Sequence, residues 1–289
     1  MKFKRRMVPK AKPKLSSILE QLLKEPIAYD TFLALLDDAY DTFFDSPELE
    51  FELLLSNGLP LEFEDDNVIL KTTKTKIQDQ CFCIVDIETN GPSVKKGFQI
   101  IELGAVKYKN GEVIDTFDTL VYAKEIPEFI QEITNITPSM LEDAPLLHNI
   151  LKDFKIFLDD DIFVAHPIKF DYGYISDSFE KYDLGKLENR KLCTIDLARR
   201  TIDSPKYGLS SLKETLNIKV DNHHRAYYDA LTTKHVFESS LEKIDYSKIQ
   251  TVEELIYFSK NAKVLNSEKK KRKEKQANQE SIEEGKEDV

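Results

Sequence analysis

Cys81-Phe82-Cys83-Ile84-Val85-Asp86-Ile87-Glu88-Thr89-Asn90-Gly91 sets two acids inside an otherwise apolar run. A run of this kind closed by Asn-Gly predicts a buried strand ending in a turn. Alternation along the strand puts Asp86 and Glu88 on one face, roughly 6.5–7 Å apart. An unpaired carboxylate is costly to bury, so these two need a cation, a metal ion or a place at the strand's open end. A hard divalent ion such as Mg²⁺, which prefers oxygen ligands, is one answer; salt-bridged acids near a strand end are the other.

Working outward, Phe98–Tyr108 and Val113–Ala123 are two further apolar runs, and Asn110-Gly111 between them is a strong hairpin signal. The three runs therefore predict an antiparallel meander. Glu102 lies inside the second strand and reads first as a partner to a backbone or hydroxyl group, second as a site residue. Ile126–Glu132, Asn135 and Thr137-Pro138 predict a helix, a left-handed cap and the start of another helix. Pro145–Leu158 has helical apolar spacing, and Ile162–Ala165 is a short buried strand that begins the parallel part of the sheet.

Ala165-His166-Pro167-Ile168-Lys169-Phe170-Asp171 follows, with Asp171 in the first turn of a helix reaching Tyr182. The helix dipole alone would favour an acid there. Lys191–Thr194 predicts another strand, and 196–200 and 209–216 predict helices. His223-His224-Arg225-Ala226-Tyr227-Tyr228-Asp229-Ala230 then leads into a closing helix over 226–242, with Asp229 in its first turns and His224 on the loop before it. A histidine in that position is commonly a cap or a surface residue, but this one precedes an acid by five residues. Val252–Phe258 gives one more short helix.

Upstream, apolar stripes at Ile18–Leu23, Phe32–Leu36 and Leu49–Leu55 predict three helices, and Leu61–Phe63 with Val68–Leu70 a small hairpin. Three helices and a hairpin resemble a winged helix. Acids outnumber bases between Ser16 and Gln80, which favours a docking or structural role over DNA reading. The expected organisation is a flexible basic arm (1–14), a small helical, winged-helix-like domain (15–78), the main α/β domain (79–245), a short helical extension (246–265) and a disordered charged tail (266–289).

The 289 residues carry a formal net charge of −11, which argues against a broad basic nucleic-acid surface but not against a cleft whose positive charge comes from bound ions. Three cysteines cannot all pair, and Cys81 and Cys83 are too extended along one strand to bridge each other, so reduced thiols and a cytoplasmic location are expected. No apolar run is long enough to span a membrane, and no apolar signal segment follows the basic start, so no membrane association is expected.

Taken in order, Asp-x-Glu on a first strand, His-x-x-x-Phe-Asp after a fourth and His-Arg-Ala-x-x-Asp-Ala opening a last helix resemble the DEDD-type 3′→5′ exonucleases with a catalytic histidine, the family that includes the proofreading epsilon subunit of bacterial DNA polymerase III. The resemblance runs from about Gln80 to Lys243 and includes Ile-Ile-Glu-Leu-Gly-Ala-Val and the Thr-Asn-Ile-Thr turn. It implies a ribonuclease-H-like α/β fold, a mixed sheet of three antiparallel strands continued by parallel strands with helices on both faces. It also implies that Asp86, Glu88, Asp171 and Asp229 hold two Mg²⁺ or Mn²⁺ ions, that His224 is the general base, and that Thr89, Thr134 and His166 lie near the terminal nucleotide. Pro167 stands where the family usually has Asn, Asn135 where Gly is common, and Asn90 where Thr is frequent.

The expected function is a two-metal-ion 3′→5′ exonuclease releasing nucleoside monophosphates from single-stranded or frayed DNA 3′ ends, proofreading as an epsilon-like subunit whose terminal extensions contact the DNA polymerase III catalytic subunit. The alternatives are a stand-alone RNA or oligonucleotide exonuclease on the same scaffold and a non-catalytic adaptor.

Overall fold

The computed structural model describes residues 14–39, 46–221, 224–263 and 265. The arm expected over 1–14 falls outside these residues except for Lys14. The tail expected over 266–289, and His223, also lie outside them.

The eleven α-helices and eight strands of the described residues follow in chain order: α1 (Leu15–Leu22), β1 (Ile27–Ala28), α2 (Tyr29–Ala39), α3 (Pro47–Ser56), β2 (Leu61–Glu64), β3 (Asn67–Leu70), β4 (Phe82–Thr89), β5 (Ile100–Lys109), β6 (Glu112–Leu120), α4 (Glu128–Thr134), α5 (Pro138–Leu141), α6 (Leu147–Leu158), β7 (Ile162–Ala165), α7 (Ile168–Lys181), β8 (Lys191–Cys193), α8 (Thr194–Thr201), α9 (Leu209–Thr215), α10 (Ala226–Leu241) and α11 (Val252–Asn261). Cys81, Cys83 and Cys193 are free thiols.

The main sheet has the order β6-β5-β4-β7-β8. Strands β4, β5 and β6 pair antiparallel, while β4–β7 and β7–β8 pair parallel. The hairpin between β5 and β6 turns at Asn110 (φ 50) and Gly111 (φ 85), both left-handed, as a type I′ turn requires. Asn135 caps α4 at φ 56, and Thr137 with Pro138 begins α5.

The two faces of β4 have different neighbours. Cys83, Val85 and Ile87 pack in a core with Leu151, Phe154 and Leu158 of α6 and Ile175 and Phe179 of α7. Phe82 and Ile84 pack instead with Phe237 and Leu241 of α10 and with Val252, Leu255 and Ile256 of α11. Period-two alternation continues the row Phe82, Ile84 into Asp86 and Glu88, so both acids look toward the α10 side.

The N-terminal helices surround a small antiparallel sheet, β1-β3-β2. Its β2–β3 turn is Asp65 (φ 47) and Asp66 (φ 61), with Asn67 already in the strand. Strand β1 spans only two residues, too few for periodicity to announce. Ile18, Phe32, Leu36, Val68 and Leu70 form the core of this part.

The stretch from Lys71 to Asp79 belongs structurally to the larger part. The backbone amides of Ile77 and Val252 donate to Gln250 and Thr75 (3.0 and 3.1 Å), and Ile77 is buried in the α10–α11 core. Thr72 Oγ1 donates to Glu253 Oε1 (2.7 Å), whose carboxylate also takes the Arg190 guanidinium. Helix α11 is fixed in turn by a capping box of Thr251 and Glu254. The boundary expected at 78 lies within this clasp, whose contacts begin at Thr72.

Candidate active site

Each expected site residue sits at an element end. Asp86 and Glu88 occupy the last half of β4 and Asp171 the first turn of α7, just past β7. Asp229 lies in the first turn of α10 and His224 two residues before that helix. Parallel pairing of β4 with β7 brings the ends of these strands, and hence Asp171, beside the Asp-x-Glu pair. Helix α10 reaches the same place because Gly104 of β5, paired with Asp86, lets the helix start lie against the sheet. A Cβ at Gly104 would fall 2.2 Å from the Tyr227 amide nitrogen.

Asp171 and Asp229 are buried, Asp86 and Glu88 are half-buried, and His224 is exposed. Side-chain ligand atoms of Glu88, His224 and Asp229 all lie within 4.8 Å of one another. Burial pushes the Asp86 carboxyl well above its usual range, and the charges of Asp171, Glu88, Asp229 and Glu102 add to it. Burial likewise lifts Glu88 to about 8, with Glu102 and Asp229 next in size and Arg225 opposing. Asp171 is raised to about 7 by burial, against the backbone amides of Asp171 and Ile87. Acids crowded this way resist ionisation until a cation joins them.

Glu102 is 1% exposed and directly opposite Glu88 across the sheet. Arg225 Nε donates to its Oε1 (2.8 Å) and the Ala226 amide to its Oε2 (3.0 Å). Its reading as a backbone partner describes this arrangement, whereas the guanidinium had no signal in spacing or composition.

Three other expected residues carry bonds of their own. Thr89 Oγ1 donates to the Gly91 carbonyl (3.0 Å). Thr134, 1% exposed, donates to Ile130 and accepts from the Ile136 amide, so its hydroxyl closes α4. His166 is buried with Nδ1 2.7 Å from Thr194 Oγ1, and burial holds its imidazole down to about 4, which keeps the ring neutral. Asn90 ties the end of β4 to its neighbours by accepting from the Gln99 amide (2.7 Å) and donating to the Glu125 carbonyl (3.2 Å).

Residues 83–237 match the exonuclease family (RNase_T) over the whole span that holds these groups. The chain belongs to this family. The matched domain is of the DEDD 3′→5′ exonuclease type and resembles the epsilon proofreading subunit. Over 195 residues it is 35% identical to the PolC-type DNA polymerase III of Staphylococcus aureus, covering 66% of this chain and 13% of that much longer protein. Among solved structures, apo exonuclease I is similar in fold, with TM-score 0.50 and 14% identity over 57% of this chain and 43% of that one. Exonuclease X in complex with 5′ overhanging duplex DNA has TM-score 0.46 and 24% identity over 62% of this chain and 99% of that one. The mixed sheet with helices on both faces is the ribonuclease-H-like architecture, and exonucleases of this family use divalent metals.

Proposed function

We propose that this exonuclease removes nucleoside monophosphates from single-stranded or frayed DNA 3′ ends in the service of a DNA polymerase. Two ions, Mg²⁺ or Mn²⁺, would be held by Asp86, Glu88, Asp171 and Asp229, with His224 as general base. The observation that carries the reading is the convergence of Glu88, Asp229 and His224 within 4.8 Å, beside two more acids whose carboxyls are pushed upward. The donor set suits such ions, since hard divalent cations choose carboxylate oxygens and relieve the repulsion that adds to burial in raising these groups.

Bound there, paired divalent ions supply activation of the attacking water and stabilisation of the leaving 3′ oxygen in an in-line displacement at phosphorus. His224 would take a proton from the attacking water as its oxygen bonds to phosphorus, the P–O3′ bond would break, and the leaving 3′ oxygen would take a proton from solvent, so that the shortened strand ends in a 3′ hydroxyl. Imidazole suits the task because its proton exchange falls near neutral pH. Thr89, Thr134 and His166 are assigned to the surroundings of the terminal nucleotide, His166 as a neutral ring. The 35% identity to a PolC-type polymerase supports DNA as the substrate and proofreading as the setting. Within the chain, 79–245 is assigned the catalysis, while the N-terminal winged-helix-like part and the terminal extensions are assigned contact with a polymerase catalytic subunit.

Asp86→Ala removes one of the four assigned ligands and is expected to abolish release of nucleotides from a labelled 3′ end in Mg²⁺ or Mn²⁺ while circular dichroism stays native. Substantial activity in the folded variant would sink the metal assignment. Running RNA beside DNA on the wild type tests the substrate: faster RNA degradation would favour the stand-alone RNA reading.

A further inference from the structure

The loop between α9 and α10 ends in an unusual way. His224 is in the left-handed region at φ 60, a conformation uncommon for a non-glycine residue. Helix α10 then starts with no capping side chain from its own N-cap, Arg225. A helix start leaves backbone amides unsatisfied, and here a carboxylate from the neighbouring strand takes the first of them, while an acid of the helix itself holds the turn that precedes it. Asp229 Oδ2 accepts from the His224 amide (3.0 Å), and Glu102 Oε2, from the neighbouring strand, accepts from the Ala226 amide (3.0 Å). The other oxygen of Glu102 is held by Arg225, through Nε at 2.8 Å and Nη2 at 2.7 Å. Both oxygens are therefore engaged, although Glu102 stands opposite Glu88 on the face that carries the acids. Like charges directly opposite across a sheet are destabilising, so this pair needs the compensating guanidinium and amide.

We propose that Glu102 is a positioning residue rather than a ligand: by seating Arg225 and the first amide of α10, it fixes where His224 stands over Glu88 and Asp229. The inference rests on His224 being the base. Gly104, two residues further along the same strand, completes the seat by leaving room for the backbone of Ala226 and Tyr227. Arg225 works as the tie between the strand and the His224 turn and does not touch the reacting atoms.

Glu102→Gln tests this with almost no change of shape. The glutamine can still accept from Ala226, but its amide cannot match the Arg225 fork. Slight misplacement of a catalytic group costs about 10²-fold, so kcat on a single-stranded DNA should fall on that scale, with KM and Mn²⁺ affinity little changed. In a His224→Ala background the same change should cost little, since the group being positioned is gone; coupled residues are non-additive in this way. Arg225→Lys, which keeps the charge with a simpler donor, should fall between wild type and Arg225→Ala, and it gives the same comparison if Glu102→Gln proves unstable. Independently of activity, amide hydrogen exchange at Ala226 should accelerate in Glu102→Gln and in Arg225→Ala while exchange in β4 is unchanged.

Full activity in His224→Ala alone overturns the base assignment and this inference with it. A slow His224→Ala enzyme that loses the full factor again on adding Glu102→Gln overturns the inference only. Loss of Mn²⁺ affinity in Glu102→Gln matching its loss of rate would make Glu102 a ligand, and unchanged exchange at Ala226 would remove the seat.

Discussion

Asp86, Glu88 and Asp171 are acids that their own protein discourages from ionising, and this has a measurable consequence without metal. Unfolded carboxyls titrate near pH 4, whereas Glu88 is lifted to about 8, Asp171 to about 7 and Asp86 well above its ordinary value. Between those limits the folded chain holds protons that the unfolded chain has released, so stability drains away as pH rises from about 4 to about 8. Thermal melts in EDTA across this range should therefore fall with pH, and Glu88→Gln should flatten the slope. Mn²⁺, binding only the folded form, should raise the melting temperature most at the alkaline end. A flat EDTA profile that Glu88→Gln leaves unchanged would mean that the acids are paired with cations instead. At this scale the sequence was informative, because acids in an apolar strand and a histidine five residues before another acid stand out against their surroundings. Arg225 did not, since one arginine beside a helix start has many ordinary explanations.

Elements bring these residues together, and Gly104 is where that depends on a missing atom. The nearest atoms to an added Cβ are the Tyr227 nitrogen at 2.2 Å, the Ala226 carbonyl carbon at 2.4 Å and the Tyr227 Cα at 2.5 Å, all backbone. No rotamer change relieves such a contact, so α10 itself must shift. Gly104→Ala should cost about 1–3 kcal/mol in urea unfolding, the usual range for overpacking. It should also lower kcat beyond what the lost stability explains, because the helix carrying Asp229 moves away from Asp86. Native activity with native stability would show that α10 does not rest on β5 there. Strands, turns and most helices were legible from periodicity, Asn110-Gly111 and Thr137-Pro138, since those signals are local. The seat at Gly104 was not, because a glycine that admits a distant helix looks in sequence like any other glycine in a strand. Strand β1 is too short for periodicity to show, whereas the capping box at Thr251 is legible as Thr-x-x-Glu.

For the whole molecule, the clasp of 71–79 with α11 decides where the chain can be cut. A fragment starting at Lys71 keeps Thr72 on Glu253, Thr75 on Val252 and Ile77 in the core. A fragment starting at Gln80 loses all three, and Ile77 alone, 3% exposed, is worth about 2–5 kcal/mol when a buried isoleucine is removed. The longer fragment should melt clearly above the shorter one and hydrolyse single-stranded DNA like the full chain. Equal melting temperatures would mean that the clasp adds nothing. Composition does not mark the clasp because the stretch is polar in its letters and buried in its bonds.

The clasp also sets a direction. It grips the sheet where β4 begins, at Phe82, whereas Asp86 lies four residues on, about 13 Å farther along the strand. The N-terminal helices can thus serve as a handle at one end of a blade whose edge is at the other. A partner holding that handle would leave the edge free to meet a strand end, turning a search through solution into a short tethered encounter at an effective concentration on the order of millimolar.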